Sequence, residues 1–587
     1  MRRLAVSALR NAAGVVPSRP MNSAAKSSEP SHLAAAAGPS ESRLQGLLRH
    51  PTLRVALAGA LLMWAALPPL GLSVLGWIAP VPWLWLARRP ELRGRRPYLA
   101  IWFAVFVFWL GALHWLRLPH WATSFGWVAL SVYQAFYTPL LVALARFAQR
   151  RFGIGIVVSA PILWTACDQA RAYMLSGFSM GSLCHTQYRW TSVIQAADLC
   201  GEFGVTFLMV LVAAAIARAL PLGDGDRNSR RWNPAWLGLA LGVVALMFGY
   251  GQWRLGDSAT RLTPGPKIAL IQGSIDTEMK YDPNEAQKVY YHYLGLSRRA
   301  VEADPSVELV VWPETMFPGS TWSWTEDAAP GPNENWTKEE VVATAAKLQD
   351  GITQTAEAIG RPLLIGIDAK RFINGGELRW NSALYTDAHG APLGRYDKRH
   401  PVPFGEYTPF AKQFPFLYAL TPLTGGIEEG EKAEAFDLNG VKLVPSICYE
   451  TVLARLIRAQ VVELRERGIE PDVLVNLTND GWFWGSSELD LHLMCGVFRA
   501  VESRKPLVIA ANTGFSAYID SDGRVVQQGL RREADFINAQ VSLDQRRSPY
   551  MASGDWLANG CVGLTLLLSA AALVGRRRKI GPAATSS

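Results

Sequence analysis

LVPSICYETV (residues 443–452) is the stretch on which the reading of this chain turns. An apolar run from Leu443 to Ile447 stops at Cys448, and an aromatic and an acid, Tyr449 and Glu450, follow at once. A short apolar run bounded by turn signals is the pattern of a strand buried on both faces. A cysteine at the end of such a strand is more often inert packing than chemistry. Its surroundings must decide its role.

Similar runs recur on either side: KIALIQGSI (267–275), ELVVWPET (308–315), PLLIGIDA (362–369), DVLVNLTND (472–480) and PLVIAANTG (506–514). Between them, residues near 284–303, 338–359, 452–467 and 489–504 repeat apolar side chains at helical spacing. This alternation predicts an α/β layered domain, in which functional side chains gather at strand ends. Three positions stand out. Glu314 ends ELVVWPE, Lys398 and then Glu406 lie in YDKRHPVPFGEYTPF (396–410), and Cys448 ends the run first quoted.

Outside this segment the composition changes. The 587 residues are 49% hydrophobic and include 22 Trp, a side chain that gathers at membrane–water interfaces. Apolar runs lie at about 52–69, 72–87, 98–117, 126–145, 154–172, 200–220, 236–252 and 555–575, each near the roughly 17–25 residues that cross a bilayer as a helix. The second contains Pro80 and Pro82. Basic clusters follow alternate runs: Arg88, Arg89, Arg93, Arg95 and Arg96; then Arg146, Arg150 and Arg151; then Arg227, Arg230 and Arg231; and finally Arg576, Arg577, Arg578 and Lys579. Intervening loops such as LPHWATSF (118–125) are nearly free of them.

Positive charge stays on the cytoplasmic side. About eight transmembrane helices are therefore expected, with both termini cytoplasmic and the α/β segment outside. The expected organisation is a disordered cytoplasmic tail over 1–48, membrane helices one to seven over 49–254 and a catalytic domain over 262–546. A last membrane helix over 553–575 and a short cytoplasmic tail over 576–587 complete it. The formal charge of +9 does not indicate nucleic acid, because the basic residues sit beside apolar runs. Six Cys without a CxxC pair indicate neither a zinc site nor a disulfide framework. GDGD (223–226) lacks phosphate-loop spacing, and no metal or organic cofactor is expected.

Taken singly, the strand-end residues have ordinary explanations: Glu314 as a solvated loop acid, Lys398 as a surface lysine, Cys448 as a packed thiol. Together they complete one another. A thiol needs a base to become a nucleophile at neutral pH, and a carboxylate can take its proton. An ammonium near the sulfur favours the thiolate and stabilises an oxyanion, with the N–H of Tyr449 as a second donor. The set describes acyl transfer through a thioester.

WPET, YDKRHPVPFGEY and SICYE, in that order, resemble the nitrilase (carbon–nitrogen hydrolase) superfamily, whose fold is a four-layer αββα sandwich. Glu406 falls where that superfamily keeps an acid supporting the lysine. With the membrane helices, the resemblance narrows to the bacterial apolipoprotein N-acyltransferases. LSGFSMGSL (175–183), IQGSID…KYDP (271–283), NLTNDGWF (476–483) and ANTGFSAYIDSDGRV (511–525) are similar to that family's further motifs. The implied fold class is a membrane α-helical bundle carrying an external nitrilase-like α/β sandwich.

The resemblance implies a two-step reaction in a bacterial inner membrane. Glu314 deprotonates Cys448, which attacks the sn-1 ester of a phospholipid, typically phosphatidylethanolamine. The thioester then passes its acyl chain to the N-terminal amine of an S-diacylglyceryl-cysteine apolipoprotein. Membrane lipids are the expected surroundings and a monomer the expected state. Neither lipid substrate leaves the bilayer cheaply, which independently places the site at the membrane surface.

Tyr449, Glu450 and Glu406 are expected to support the site, and Tyr281, Trp482 and Phe483 to contact substrate or fill the core. Asn479-Asp480 is expected to form an Asx turn, His492 to be a packing or hydrogen-bonding residue, and His400 to lie in a basic surface loop. Asp168 and Arg171 are expected to pair, and Cys184, Cys200 and Cys495 to be bystanders. Trp484, CHTQYRW (184–190) and Tyr281 depart from the family's usual pattern. Two rival readings remain at this point: a membrane-tethered amidase acting on a small amide, and a non-catalytic scaffold.

Overall fold

The computed structural model describes residues 49–222, 233–258, 260–331, 334–408 and 426–577, with 411, 413, 414 and 416. The expected tail 1–48, the GDGD turn and residues 578–587 lie outside the described residues. The first seven helices longer than one turn or two are α1 (Pro51–Ala66), α2 (Val81–Arg88), α3 (Pro97–Ala112), α4 (Thr123–Ala135), α5 (Tyr137–Phe152), α6 (Ile156–Tyr173) and α7 (Ala197–Ala219). They are followed by α8 (Ala235–Ser258).

Among the described residues, four stretches are long and apolar enough to cross a membrane: Thr123–Phe152, Ala197–Ala219, Ala235–Ser258 and Trp556–Val574. Two apolar helices, α1 and α3, are shorter. The run 72–87 is not one helix. It divides into a 3-10 turn, Ser73–Trp77, and α2, whose eight residues rise only about 12 Å. The run 126–145 is likewise split, with Phe136 between α4 and α5. Leu241, Leu246, Leu566 and Leu567 are each more than 60% exposed. An apolar surface of that kind belongs in lipid rather than water.

Among the described residues, the Arg88 and Arg146 clusters meet at one end of this bundle. Arg88 donates to Leu220 O (2.9 Å), and Arg146 and Arg150 both donate to Pro90 O. Loops that follow the second and fourth apolar runs therefore share a face with the C-terminal end of α7. Asp168 and Arg171 pair within α6 at 2.9 Å and are both buried, as the sequence suggested.

Beyond α8 come β1 (Leu262–Gln272), α9 (Ala286–Ala303), β2 (Leu309–Val311), β3 (Ser320–Ala329), α10 (Lys338–Ile359), β4 (Leu363–Asn374), β5 (Gly376–Thr386) and β6 (Pro392–Asp397). These strands, joined at the far end by β13 (Asp535–Asp544), make a seven-stranded sheet ordered β13-β1-β2-β4-β5-β6, with β3 beside β4. The second sheet holds β7 (Phe436–Leu438), β8 (Val441–Ile447), β9 (Val473–Thr478), β10 (Leu507–Ala511), β11 (Ala517–Ile519) and β12 (Val525–Gln528). Helices α11 (Ala454–Glu466) and α12 (Glu488–Ser503) connect β8 to β9 and β9 to β10, and β13 (Asp535–Asp544) leads to the last long helix, α13 (Trp556–Arg577). Strands β1, β2 and β4 pair in parallel, as do β8, β9 and β10.

Strand side chains alternate between faces, and the cores follow that alternation. Ile268 and Leu270 of β1 meet Leu443, Ile447, Val473 and Val475 between the two sheets. Ala269 and Ile271 turn outward onto α9 and α10, beside Tyr293 and Ile352. On the second sheet, Val444, Leu474 and Leu507 face outward into a cluster with α11 and α12. The layers are thus helix, sheet, sheet, helix.

That last cluster does not stop at α12. It continues into Leu53, Trp109, Leu183, Val205 and Val210 of the apolar helices. The α/β domain is docked along a whole layer, not merely tethered at its two ends. Buried charges pin the same junction. Arg504, fully buried, donates to Asp198 Oδ2 at 2.6 Å and to Asp522 at 3.2 Å. Arg254 also pairs with Asp198, and Arg546 with Asp522 and Asp544. A second group joins Glu202 of α7 to Arg499 and Glu502 of α12.

Candidate functional site

Three elements end side by side at one edge of the sandwich. The turn after β2 carries Glu314, the residue after β6 is Lys398, and the residue after β8 is Cys448. β4 runs close behind the first of these. A Cβ on Gly366 would stand 2.2 Å from Pro313 O and 2.6 Å from the Glu314 Cα, so only glycine lets the strand pass. Cys448 itself has φ 51°, a left-handed conformation that a cysteine rarely adopts. The half-buried side chain is presented from that sharp turn.

Lys398 Nζ donates to Glu406 Oε1 at 2.8 Å and to Glu314 Oε1 at 3.3 Å. Asn381, on β5, donates to Glu314 Oε1 at 2.7 Å and to Glu406 Oε1 at 3.1 Å. The other Glu314 oxygen accepts the Asn479 backbone N–H at 2.9 Å. Glu406 also accepts the Val402 N–H. Burial alone would lower the pKa of Lys398, but Glu406 and Glu314 more than offset this and raise it. Lys398 is a fixed cation and a donor, not a base.

Burial pushes the Cys448 thiol well above its ordinary value, the Glu314 carboxylate pushes it further, and Lys398 opposes them. The resting sulfur is a thiol. Glu314 is the acidic group that acts on it most strongly.

Glu450 ties the pieces together. It accepts from the backbone N–H groups of Ile447 and Arg399 at 2.7 Å and of His400 at 3.2 Å, and from the Tyr396 hydroxyl at 2.9 Å. One buried carboxylate thus holds the turn of Lys398 against the turn of Cys448. Tyr449 points its hydroxyl to Gly177 O at 2.9 Å, in the LSGFSMGSL segment. Ser179 of that segment donates to Val452 O, and Ser176 shares a hydrogen bond with His400 at 2.9 Å. His400 is therefore not in a free surface loop. It stacks on Tyr449, and burial, with Arg455 and Lys398 nearby, pulls its pKa down to about 4.

The aromatic candidates divide. Tyr281 and Trp482 are exposed and lie against each other, ring centroids 5.5 Å apart. Phe483 packs edge-on against Trp115, from the loop after α3, at 5.0 Å. Asn479 closes the expected Asx turn, its Oδ1 accepting from Gly481 N. His492 hydrogen-bonds Thr451 Oγ1 at 2.9 Å and Cys448 O at 3.2 Å.

Residues 267–549 match the carbon-nitrogen hydrolase family, and residues 59–215 match the apolipoprotein N-acyltransferase N-terminal domain. An apolipoprotein N-acyltransferase of Geobacter metallireducens is 33% identical over 545 residues, covering 91% of this chain and 96% of its own. One from Rhodopirellula baltica is 30% identical over 563 residues, covering 89% and 98%. The chain belongs to the apolipoprotein N-acyltransferase family. An amidase from Nesterenkonia sp., a solved structure, is 18% identical with a TM-score of 0.33, over 49% of this chain and 93% of that one.

Two groups in this family member escaped the sequence reading. Asn381 lies in mid-strand, where an Asn carries no signal of its own. Lys280, in the short helix Thr277–Tyr281, hydrogen-bonds Thr315 Oγ1 next to Glu314. Its place in KYDP gave a motif but not a partner.

Proposed function

We propose that this protein moves a fatty acyl chain from a phospholipid to the N-terminal amine of a diacylated lipoprotein, through a thioester on Cys448. The observation that carries the reading is the arrangement of Glu314, a cationic Lys398 and a protonated Cys448 on one sandwich edge bound to apolar helices. The names borne by its relatives agree with it.

Glu314 takes the Cys448 proton as the sulfur attacks the ester carbonyl carbon. The oxyanion is met by Lys398 Nζ and the Tyr449 N–H. The C–O bond breaks, and the proton returns from Glu314 to the departing lysophospholipid. The lipoprotein amine then attacks the thioester carbonyl and gives a proton to Glu314. The C–S bond breaks as the amide forms, and Glu314 returns that proton to the leaving sulfur, restoring the thiol. Glu406 and Asn381 hold Lys398 and Glu314 in register, and Glu450 holds the two turns. Tyr281 and Trp482 line the acyl or head-group approach, with Phe483 at its membrane side.

The donor is phosphatidylethanolamine, its sn-1 chain the one transferred, and the chain acts as a monomer. Eight apolar passes, the second an irregular one over residues 72–87, set the site on the periplasmic face with both termini cytoplasmic. The shared face of the basic loops supports that sidedness. Purified protein given a phospholipid with an alkyne acyl chain is expected to carry label on Cys448 that neutral hydroxylamine removes. No labelled acyl-enzyme, with ammonia released from small amides, would make it an amidase instead.

A further inference from the structure

One buried cluster has no part in the acyl-transfer chemistry above. Glu488 and His492 stand one helical turn apart on the inward face of α12, a spacing that aims both side chains at one point. Asp480, in the 3-10 turn after β9, completes the group. Their exposures are 2%, 4% and 2% for Glu488, His492 and Asp480. One ligand atom from each lies within 4.8 Å of the other two. Donors on a tetrahedral zinc with bonds of about 2.1 Å stand about 3.4 Å apart. His492 Nδ1 and Asp480 Oδ1 are already at 3.2 Å, and any pair at the wider limit must draw together on binding.

The charges in this cluster are not closed. Among the described residues neither Lys nor Arg pairs with Asp480 or Glu488; Asp480 Oδ1 meets only His492 Nδ1 at 3.2 Å and the Thr478 hydroxyl, which donates to it at 3.0 Å. Glu488 Oε2 is buried with no hydrogen-bond partner, whereas a buried carboxylate normally has one. The group Cys184, His185 and Glu202 differs in its charge, because there Arg499 pairs with Glu202 Oε2 at 2.8 Å, although Glu202 Oε1 is itself without a partner. The ring orientation of His492 fits as well. Its Nε2 faces Cys448 O and Thr451 Oγ1, which leaves Nδ1, on the Asp480 side, to bind. Metal-bound histidines commonly hold their other N–H on a carbonyl in this way.

We propose that Asp480, Glu488 and His492 form a divalent-cation site of the zinc class, linked through the His492 ring to the carbonyl of Cys448. Two carboxylates and an imidazole are a donor set for zinc or a similar borderline cation. The reading of six scattered cysteines passed over this site because no thiol belongs to it. Bound metal would fix the ring that holds the nucleophile's turn. The site stands independently of the acyl-transfer reading.

The test uses the full chain in detergent carrying Cys448→Ala, so that the nucleophile cannot bind metal. Zinc is titrated against a fluorescent chelator, and the cobalt(II) spectrum is recorded. One zinc per chain is expected, with a cobalt spectrum lacking a thiolate charge-transfer band. Glu488→Gln is expected to weaken zinc by more than about 100-fold, beyond the range typical of outer-sphere changes. Gly514→Ala, whose Cβ would stand 2.1 Å from Asp480 Oδ2, should weaken it too. Melting temperatures in chelator check that both variants fold. No bound zinc, zinc bound equally well by Glu488→Gln, or a thiolate band in the parent would each overturn the proposal.

Discussion

Two buried charge groups in this molecule are built alike and serve opposite ends. At the junction, Asp198, Asp522 and Asp544 are held by Arg254, Arg504 and Arg546. At the sandwich edge, Glu314 and Glu406 are held by Lys398. A guanidinium stays charged and grips carboxylates with a planar fork, so the junction is fixed in charge and in geometry. An ammonium is a point charge with three rotatable donors. Beside it sits a thiol that burial keeps protonated. The first group secures one part of the protein to another, whereas the second, in the proposed reaction, has a proton to give and a donor to turn toward substrate.

The largest effect should come from the thiol. Cys448→Ala is expected to form no acyl-enzyme and to lower turnover by at least about 10⁴-fold, as loss of a nucleophile does, read from labelled lipid. Glu314→Gln removes only the base. Acyl-enzyme formation should slow by about 10²–10⁴-fold while the melting temperature moves little. Arg504→Met should do the reverse. It leaves buried Asp198 and Asp522 one partner short, a loss toward the lower end of about 3–5 kcal/mol, with the surviving folded protein acylating at nearly the parent rate. If Arg504→Met instead slows chemistry per folded molecule as far as Glu314→Gln, the division between the two groups fails.

Two smaller changes sharpen it. Tyr396→Phe removes the hydroxyl that donates to Glu450 and should cost about 0.5–1.5 kcal/mol, seen as a small drop in melting temperature. His400 has a folded pKa of about 4 against 6.5 for the model residue. The unfolded chain therefore binds more protons between these values, and stability falls as pH drops from about 6.5 to about 4. His400→Gln should flatten that part of the melting curve against pH. An unchanged slope would mean that His400 does not titrate as its burial dictates.

Sequence carried far at some positions and not at others, for physical reasons. Glu314 and Cys448 were visible because each ends an apolar strand, where a polar residue needs a reason. Lys398 instead follows the largely polar β6 and was visible through its place in YDKRHPVPFGEY. The six strands quoted from the sequence and the four helices between them all form, since buried strands and amphipathic helices announce themselves by period. Asn381 and the Asp480, Glu488 and His492 cluster were hidden, because their meaning lies in what faces them across 67 residues of chain or a helical turn. The run 72–87 misled for another reason. Apolar composition does not distinguish a straight helix from a 3-10 turn followed by eight helical residues. Nor did composition hint that α11 and α12 lie against the membrane helices along their whole layer.

The turn at Cys448 has one more consequence. Its φ of 51° burdens every folded copy with about 1–2 kcal/mol that a glycine would escape. Selection for robustness alone would discard the cysteine, and only continued demand for the reaction keeps it. A descendant relieved of lipid chemistry should lose this residue early and, with glycine in its place, melt higher than its working ancestor.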